Sequence, residues 1–396
     1  MNLGIFFSET NEHTGGGFQY EISIAKFLLK KLEKKNYNLK FYCTDERTKK
    51  ILKRFNIYAF NIGKNKLFNF FFKINLFYNL NFLKGFTSYI SPYERFINKD
   101  NLDLIYFLSP NHHAMYIDKC NFVSTCWDIC HRDNVEFPEI RKNYSFELRE
   151  ILFFSTYLKS HSIICDSELT KKNLSKWYGV DSKRIKIIPL FRSLNQKKFK
   201  NFNIKQYVKN KKNYLFYPGQ LWSHKNHIYV LDALELLKNK YKIKINFYFC
   251  GSDKGNLEHI NNHAKKLNIQ DQIKYLGFLN NKQIKNYYEN AFALVMPTYF
   301  GPSNYPPLEA FSYGCPVIYN LFGSENTNFK KAVWEIDIKN ILSLVKIIIY
   351  MKKNRNKVND KIKNGLRYHS KINEKKIIND YKKIFKDFSN IKNKWK

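Results

Sequence analysis

Apolar runs of strand length alternate with stretches of helical periodicity along most of the 396 residues. Residues 3–8 (LGIFFS), 39–44, 103–109 (DLIYFLS), 121–126 and 162–166 (SIICD) are short and apolar, while 18–34 and 145–159 repeat apolar positions every three to four residues. The first set predicts strands and the second helices, because a strand buried on both faces needs an unbroken apolar run and a covering helix only one stripe. A second series begins at 214–217 (YLFY) and continues through 245–250 (INFYFC), 273–278, 292–297 (FALVMP) and 316–319, with helices near 226–239, 255–267 and 281–290. Strands alternating with helices specify a parallel sheet covered on both faces, and two series specify two of them. The predicted fold class is α/β, with two doubly wound Rossmann-like domains facing a cleft. The first domain is placed at 1–195 and the second at 213–370, and the polar stretch 192–212 (RSLNQKKFKNFNIKQYVKNKK) contains the linker, 196–212.

In open parallel sheets, ligands collect beyond the carboxyl ends of the strands, so the loops after the strands hold the candidate chemistry. Thr14-Gly15-Gly16-Gly17 follows the first strand, and its glycines allow a phosphate or sugar to approach the backbone at a helix N-terminus. A plain tight turn is the alternative. The loop PGQLWSHKNH (218–227) carries Lys225 just ahead of an amphipathic helix, where its ammonium could meet a diphosphate or simply be solvated. STCWDICHRDNVEFPEI (124–140) gathers Asp128, His131, Arg132 and Asp133 after a strand, as a polar site or as an N-cap with surface charges. TYFGPSNYPPLEAFSYGCPVI (298–318) predicts a short helix over 308–313, with Pro306 and Pro307 at its start, Gly314 at its end and Glu309 in its first turn. Ser303, Asn304 and Tyr305 then offer free amides to an anion or sugar hydroxyls.

Composition changes the picture little. Lys and Arg number 68 against 33 acids, a formal charge of +35, yet the basic residues are spread over the whole chain rather than gathered into one arm. Diffuse charge argues against a nucleic-acid partner. Seven cysteines, odd in number and far apart, in a chain whose Met1–Phe7 starts a strand directly, predict reduced thiols and a cytoplasmic location. Cys126, Cys130 and His131 lack a second pair of ligands at metal spacing, so no metal is expected. No run reaches the roughly 18 to 20 apolar residues that span a bilayer. Residues 66–86 (KLFNFFFKINLFYNLNFLKGF) form an aromatic stripe at 67, 70, 71, 74, 77, 78 and 82, flanked by Lys66, Lys73 and Lys84. Such a stripe either covers the first sheet or docks peripherally on an anionic membrane surface.

Taken together, these pieces resemble the family 4 glycosyltransferases, two-domain GT-B enzymes that transfer a sugar from a nucleotide-sugar with retention of anomeric configuration. The resemblance is carried by the Gly15–Gly17 turn, WDICHRDNVEFPEI, SIICDSELTKKNLSKWYGVDSKRIKIIPL (162–190), YPGQLWSHKNH, FYFCGSD (247–253), YLGFL (275–279) and PPLEAFSYGCPVI, in that order. It implies terminal helices within 356–390 that cross back, with 371–396 packing toward the first domain. It implies a nucleotide-sugar donor and a saccharide or lipid-linked acceptor as partners, no cofactor and no metal. Lys225, Asp128 and Glu309 are the implied catalytic residues. Gly16, Gly17, Gln220, Asn226, Phe278, Leu279, Ser303, Asn304 and Tyr305 join Lys225 and Glu309 as implied donor-binding residues, with His131 and Arg132 on the acceptor side.

The chain departs from the family at three positions. Gly301 stands where relatives place the first of two glutamates, Gln220 where they often place an arginine, and Trp127 where they often place a histidine. The ribose role therefore transfers to Glu309, but the sugar-binding carboxylate and one cation at the diphosphate do not. A catalytically silent GT-B binding or scaffold protein is the alternative motivated by these losses, and a basic nucleic-acid-binding protein is the third.

Overall fold

A computed structural model describes residues 1–9, 15–63, 65–78, 91–191, 212–323 and 325–395. The first sheet contains β1 (Asn2–Phe6), β2 (Asn38–Cys43), β3 (Ala59–Asn61), β4 (Leu104–Phe107), β5 (Phe122–Thr125), β6 (Ser162–Cys165) and β7 (Ile185–Ile187). Its spatial order is β3-β2-β1-β4-β5-β6-β7. The second contains β8 (Tyr214–Pro218), β9 (Asn246–Cys250), β10 (Ile273–Tyr275), β11 (Ala293–Met296), β12 (Val317–Tyr319) and β13 (Val333–Glu335), in the order β10-β9-β8-β11-β12-β13. Adjacent strands pair in parallel throughout, from β1 with β2 and β4 to β8 with β9 and β11. Every residue of β4, β5, β6, β8 and β11 is buried, which is why these segments read as unbroken apolar runs.

Both sheets reverse their strand order beside their first strand, at β1/β4 and at β8/β11. Loops leaving the two strands at such a point diverge to opposite faces and leave a crevice at the carboxyl edge. The glycine turn follows β1, and the loops that begin at Pro218 and Thr298 follow β8 and β11, so these three motifs stand at the two crevices. Three strands escaped the sequence pattern, β3, β7 and β13, and helix Tyr305–Ser312 begins three residues before the predicted start. Pro306 and Pro307 sit inside its first turn, where their missing N–H groups cost no intrahelical bond. Glu309 is consequently in the second turn, not the first. Residues 196–211 of the expected linker, Thr14 of the glycine turn and residues 79–86 of the aromatic stripe lie outside the described residues.

Helix Arg355–Ser370 packs on the second domain through Val358 and Ile362, whereas helix Glu374–Lys392 packs on the first. Ile377, Ile378, Tyr381, Ile384, Phe385 and Phe388 of that last helix join the core made by β1, β2, β4 and helix Gly16–Lys31. The Tyr381 hydroxyl lies 3.4 Å from that of Tyr106, and ion pairs Lys31–Glu374 (2.7 Å), Lys382–Glu33 (2.9 Å) and Lys392–Asp103 surround the seam.

One glycine is dictated by close approach. Gly251 has φ 133°, and a Cβ there would fall 2.1 Å from the carbonyl oxygen of Gly219. The loops after β8 and β9 touch at this point, with Gly219 N–H donating to Cys250 O at 2.9 Å.

Candidate functional site in the interdomain cleft

A cavity of about 590 Å³ lies between the carboxyl edges of the two sheets. From the first domain it is lined by Gly15, Gly16 and Gly17 after β1, Trp127 and Asp128 after β5, and Asp166 after β6. From the second come Gln220 and Lys225 after β8, Phe278 and Leu279 after β10, and Gly301 to Pro306 with Glu309 after β11. Most sequence candidates therefore converge on one space. Asn226, His131 and Arg132 are not among its lining residues.

On the second-domain wall, Lys225 ends the short turn Ser223–Lys225 and is half-buried. Its Nζ lies 3.5 Å from Asn304 Oδ1, a long contact that leaves most of the ammonium's donor capacity for a ligand. Burial pulls the lysine pKa down to about 8, although the nearby charge of Asp128 opposes the shift. Asn304 is also the N-cap residue of helix Tyr305–Ser312, but its side chain does not cap that helix. Its amide instead donates to Gly301 O (2.7 Å) and to the Tyr319 hydroxyl (2.9 Å). The helix N-terminus thus opens into the cleft beside Lys225, an arrangement that favours anions. One turn further in, Glu309 Oε2 accepts from the Tyr288 hydroxyl at 3.1 Å.

Two donor-side candidates have roles within their own loop. Gln220 Oε1 accepts from the Trp222 indole at 2.8 Å, so this side chain is engaged within its own loop. Asn226 has φ 55° and precedes helix His227–Asn239, where an asparagine tolerates the left-handed turn better than most residues. Its place in the fold is that turn, not the cleft wall.

On the first-domain wall the glycine turn lines the cleft and also makes room for side chains. A Cβ on Gly17 would meet the Trp127 ring at 2.8 Å, and one on Gly16 would touch Tyr305 at 3.6 Å. Their bareness makes room for aromatic rings, one of them from the opposite domain. Asp128 accepts from the Cys130 N–H at 3.1 Å and faces Arg149 Nη1 at 3.6 Å, so the turn-forming role and cleft exposure coexist. His131 is fully buried: its Nε2 lies 2.7 Å from Glu150 Oε1, which also accepts from the Tyr178 hydroxyl at 2.6 Å and from Arg132 Nε at 2.9 Å. Burial lowers the His131 pKa. His131 and Arg132 thus brace the loop from behind, because the helical turn Cys130–Asp133 directs them toward helix Ser145–Tyr157.

The sequence reading passed over several residues that the fold brings to the cleft. Glu21, buried inside helix Gly16–Lys31, accepts from Ser8 Oγ (2.7 Å) and Ser109 Oγ (2.6 Å) and fixes the loop ends after β1 and β4. An acid within an otherwise apolar helical stripe was the available signal. Glu139 crosses the domain boundary: its Oε1 accepts from the backbone N–H of His224 at 3.0 Å and lies 2.5 Å from His224 Nδ1. Burial pushes His224 down to about 4, so the ring is neutral at pH 7 and donates to an ionised carboxylate. The same imidazole stacks on Phe300 with centroids 3.9 Å apart, and Phe137 packs edge-on to Phe300 at 5.4 Å. These contacts hold the two walls together at one end.

Away from the cleft, helix Lys66–Tyr78 buries Phe68 against Tyr93 and Tyr116 but leaves Leu67, Phe70 and Phe71 at 68%, 59% and 50% exposure. Among the described residues no helix is long and apolar enough to cross a membrane.

Two parallel, doubly wound domains closing on one cleft define the GT-B fold. Within it, residues 199–368 match the family model described as glycosyl transferases group 1. The chain is 28% identical over 208 residues to the O-antigen chain mannosyltransferase RfbU of Salmonella typhimurium, covering 49% of this chain and 56% of that protein. It is 25% identical over 227 residues to the capsular polysaccharide biosynthesis glycosyltransferase CapH of Staphylococcus aureus, covering 55% and 59%. The chain thus spans little more than half the length of these curated relatives. Among solved structures, Anabaena HepE in complex with UDP superposes with a TM-score of 0.68 at 15% identity, covering 98% of this chain and 100% of that one.

Proposed function

We propose that this protein is a retaining glycosyltransferase of family 4 that moves a hexose from a nucleotide-diphosphate-sugar to a saccharide or lipid-linked acceptor in cell-envelope polysaccharide synthesis. The observation that carries the proposal is the half-buried Lys225 beside the open N-terminus of helix Tyr305–Ser312, with Glu309 one turn away, in a cleft closed by a second domain. Cation and helix end together suit a leaving nucleoside diphosphate, and Glu309 suits the ribose hydroxyls. HepE in complex with UDP, and the mannosyltransferase and capsule-synthesis names of RfbU and CapH, support the donor class and the product class.

Breaking the anomeric C–O bond loads charge on the diphosphate, and preorganised donors aimed there lower the barrier. In a front-face retaining reaction the departing phosphate oxygen takes the acceptor proton as the new glycosidic bond forms. No protein base is then demanded, and Asp128 orients hydroxyls on the acceptor side. The reaction is proposed to run without a metal ion. A donor screen read by nucleotide release, with and without a chelator, tests this. We expect one nucleotide-sugar to release its diphosphate when acceptor is supplied and the product to keep the donor's anomeric configuration by proton NMR. Inverted product removes the retaining mechanism. Binding without turnover across donors and acceptors leaves a silent GT-B binding protein.

The acceptor reading extends to the surface. Leu67, Phe70 and Phe71 are proposed to contact the inner bilayer face, where a lipid-linked acceptor is presented and the excess of basic residues meets anionic headgroups. Binding to anionic liposomes should weaken as the Debye length falls from about 10 Å at 0.1 M salt to about 3 Å at 1 M. Equal recovery in the supernatant with anionic and neutral vesicles, at either salt, removes the membrane contact.

A further inference from the structure

The geometry points to Asp166 as the carboxylate that binds hydroxyls of the transferred sugar, reaching the donor from the opposite wall of the cleft. The inference rests on the donor reading above. Asp166 follows β6, whose four residues are all buried, so the backbone that presents it is fixed. It is half-buried and lines both the cleft and a second interdomain cavity of about 820 Å³. The two cavities meet along Asp166, Leu190, Pro302, Ser303 and Asn304. Asp166 therefore stands where the first domain meets the loop that precedes helix Tyr305–Ser312.

Its partners are of one chemical kind. Thr170 Oγ1 donates at 3.4 Å, and the hydroxyls of Ser167 and Ser303 are its other side-chain donors. Among the described residues no lysine, arginine or histidine forms an ion pair with it, whereas Asp128 faces Arg149, Glu139 faces His224 and Glu150 faces Arg132. A half-buried carboxylate without a cation is costly, and Asp166 is pushed up to about 7 by burial, with the charge of Asp128 adding to the effect. Further hydroxyl donors relieve that cost, since a carboxylate has room for about four hydrogen bonds and its Thr170 contact is long.

A sugar ring supplies such donors in adjacent pairs. Ser303 hydroxyl is the exchangeable partner, because a sugar hydroxyl can take its place without changing the hydrogen-bond count. Ser303 also neighbours Asn304, which Lys225 contacts, so a diphosphate held at Lys225 puts the first atoms of the attached sugar beside Asp166. The loop itself offers no acid: residues 299–305 contain no Asp or Glu, and Gly301 turns there with φ 103° and no side chain.

The test is calorimetric binding of UDP, GDP, UDP-glucose and GDP-mannose to the native protein and to Asp166→Asn, which keeps the shape and removes the charge. We expect Asp166→Asn to weaken the nucleotide-sugar by about tenfold or more while nucleoside diphosphate affinity changes by less than about twofold. The unchanged diphosphate also shows that the variant is folded. Equal weakening of both ligands, or no weakening of either, overturns the assignment. Failure of the native protein to bind any of the four removes the donor reading, and this assignment with it.

Discussion

Replacing Lys225 by alanine is expected to lower turnover by about 100-fold or more, with a smaller effect on donor binding. Lys225 is the cleft cation nearest the open helix end, and Gln220, held by Trp222, gives it no cationic help. If its contact with the diphosphate strengthens as the glycosidic bond breaks, its loss appears in kcat rather than KM. A pH signature accompanies it. The pKa of the free lysine is lowered to about 8, and a bound diphosphate favours the ammonium, so donor affinity is full below pH 8 and falls as pH rises through that value. The alkaline limb should vanish in Lys225→Ala. Steady-state kinetics across pH 6 to 9.5 check both points, and retained turnover in the variant places the leaving group elsewhere.

Glu309→Gln is expected to weaken donor binding by about tenfold, because a hydrogen bond to a charged acceptor contributes about 1.5 to 3 kcal/mol. Glu309 sits on a rigid helix, and Tyr288 fixes one of its oxygens from below at 3.1 Å. The amide keeps the shape and one acceptor oxygen but gives up the charge that the ribose hydroxyls would meet. Donor titration decides it: an unchanged dissociation constant removes the ribose assignment. The two variants are distinguishable, since loss of Glu309 should act on nucleosides and nucleotides alike and loss of Lys225 chiefly on the reaction.

The sequence was informative where burial is two-sided. All ten strands predicted from apolar runs are present; nine are interior to their sheets, where a parallel strand has no solvent face to interrupt its pattern, and the tenth, β10, is an edge strand. The missed strands β3, β7 and β13 are three residues long and lie at sheet edges, where one neighbour is absent and a run such as Ala59-Phe60-Asn61 carries no periodicity. At the cleft, loops that follow strands were legible as motifs, but the directions of their side chains were not. His131 and Lys225 look equally available in sequence; only the fold shows that one turns inward to Glu150 and the other toward Asn304. Glu139 and Asp166 were unreadable for a different reason. Their partners His224 and Ser303 lie 85 and 137 positions away, and no local pattern encodes a contact between domains.

The last helix has a consequence for how the chain reaches this state. Ile377, Tyr381, Phe385 and Phe388 complete the core of a domain whose first strand is Asn2–Phe6. Synthesis proceeds from the amino end, and domains ordinarily close in that order as they emerge. Here the order is inverted: the second domain has its strands and covering helices in hand while the first still lacks one wall. Until residue 388 has left the ribosome, Tyr37 has no Phe385 ring against it and this core lacks six of its side chains, and a nascent chain in that condition presents apolar surface for a chaperone to guard.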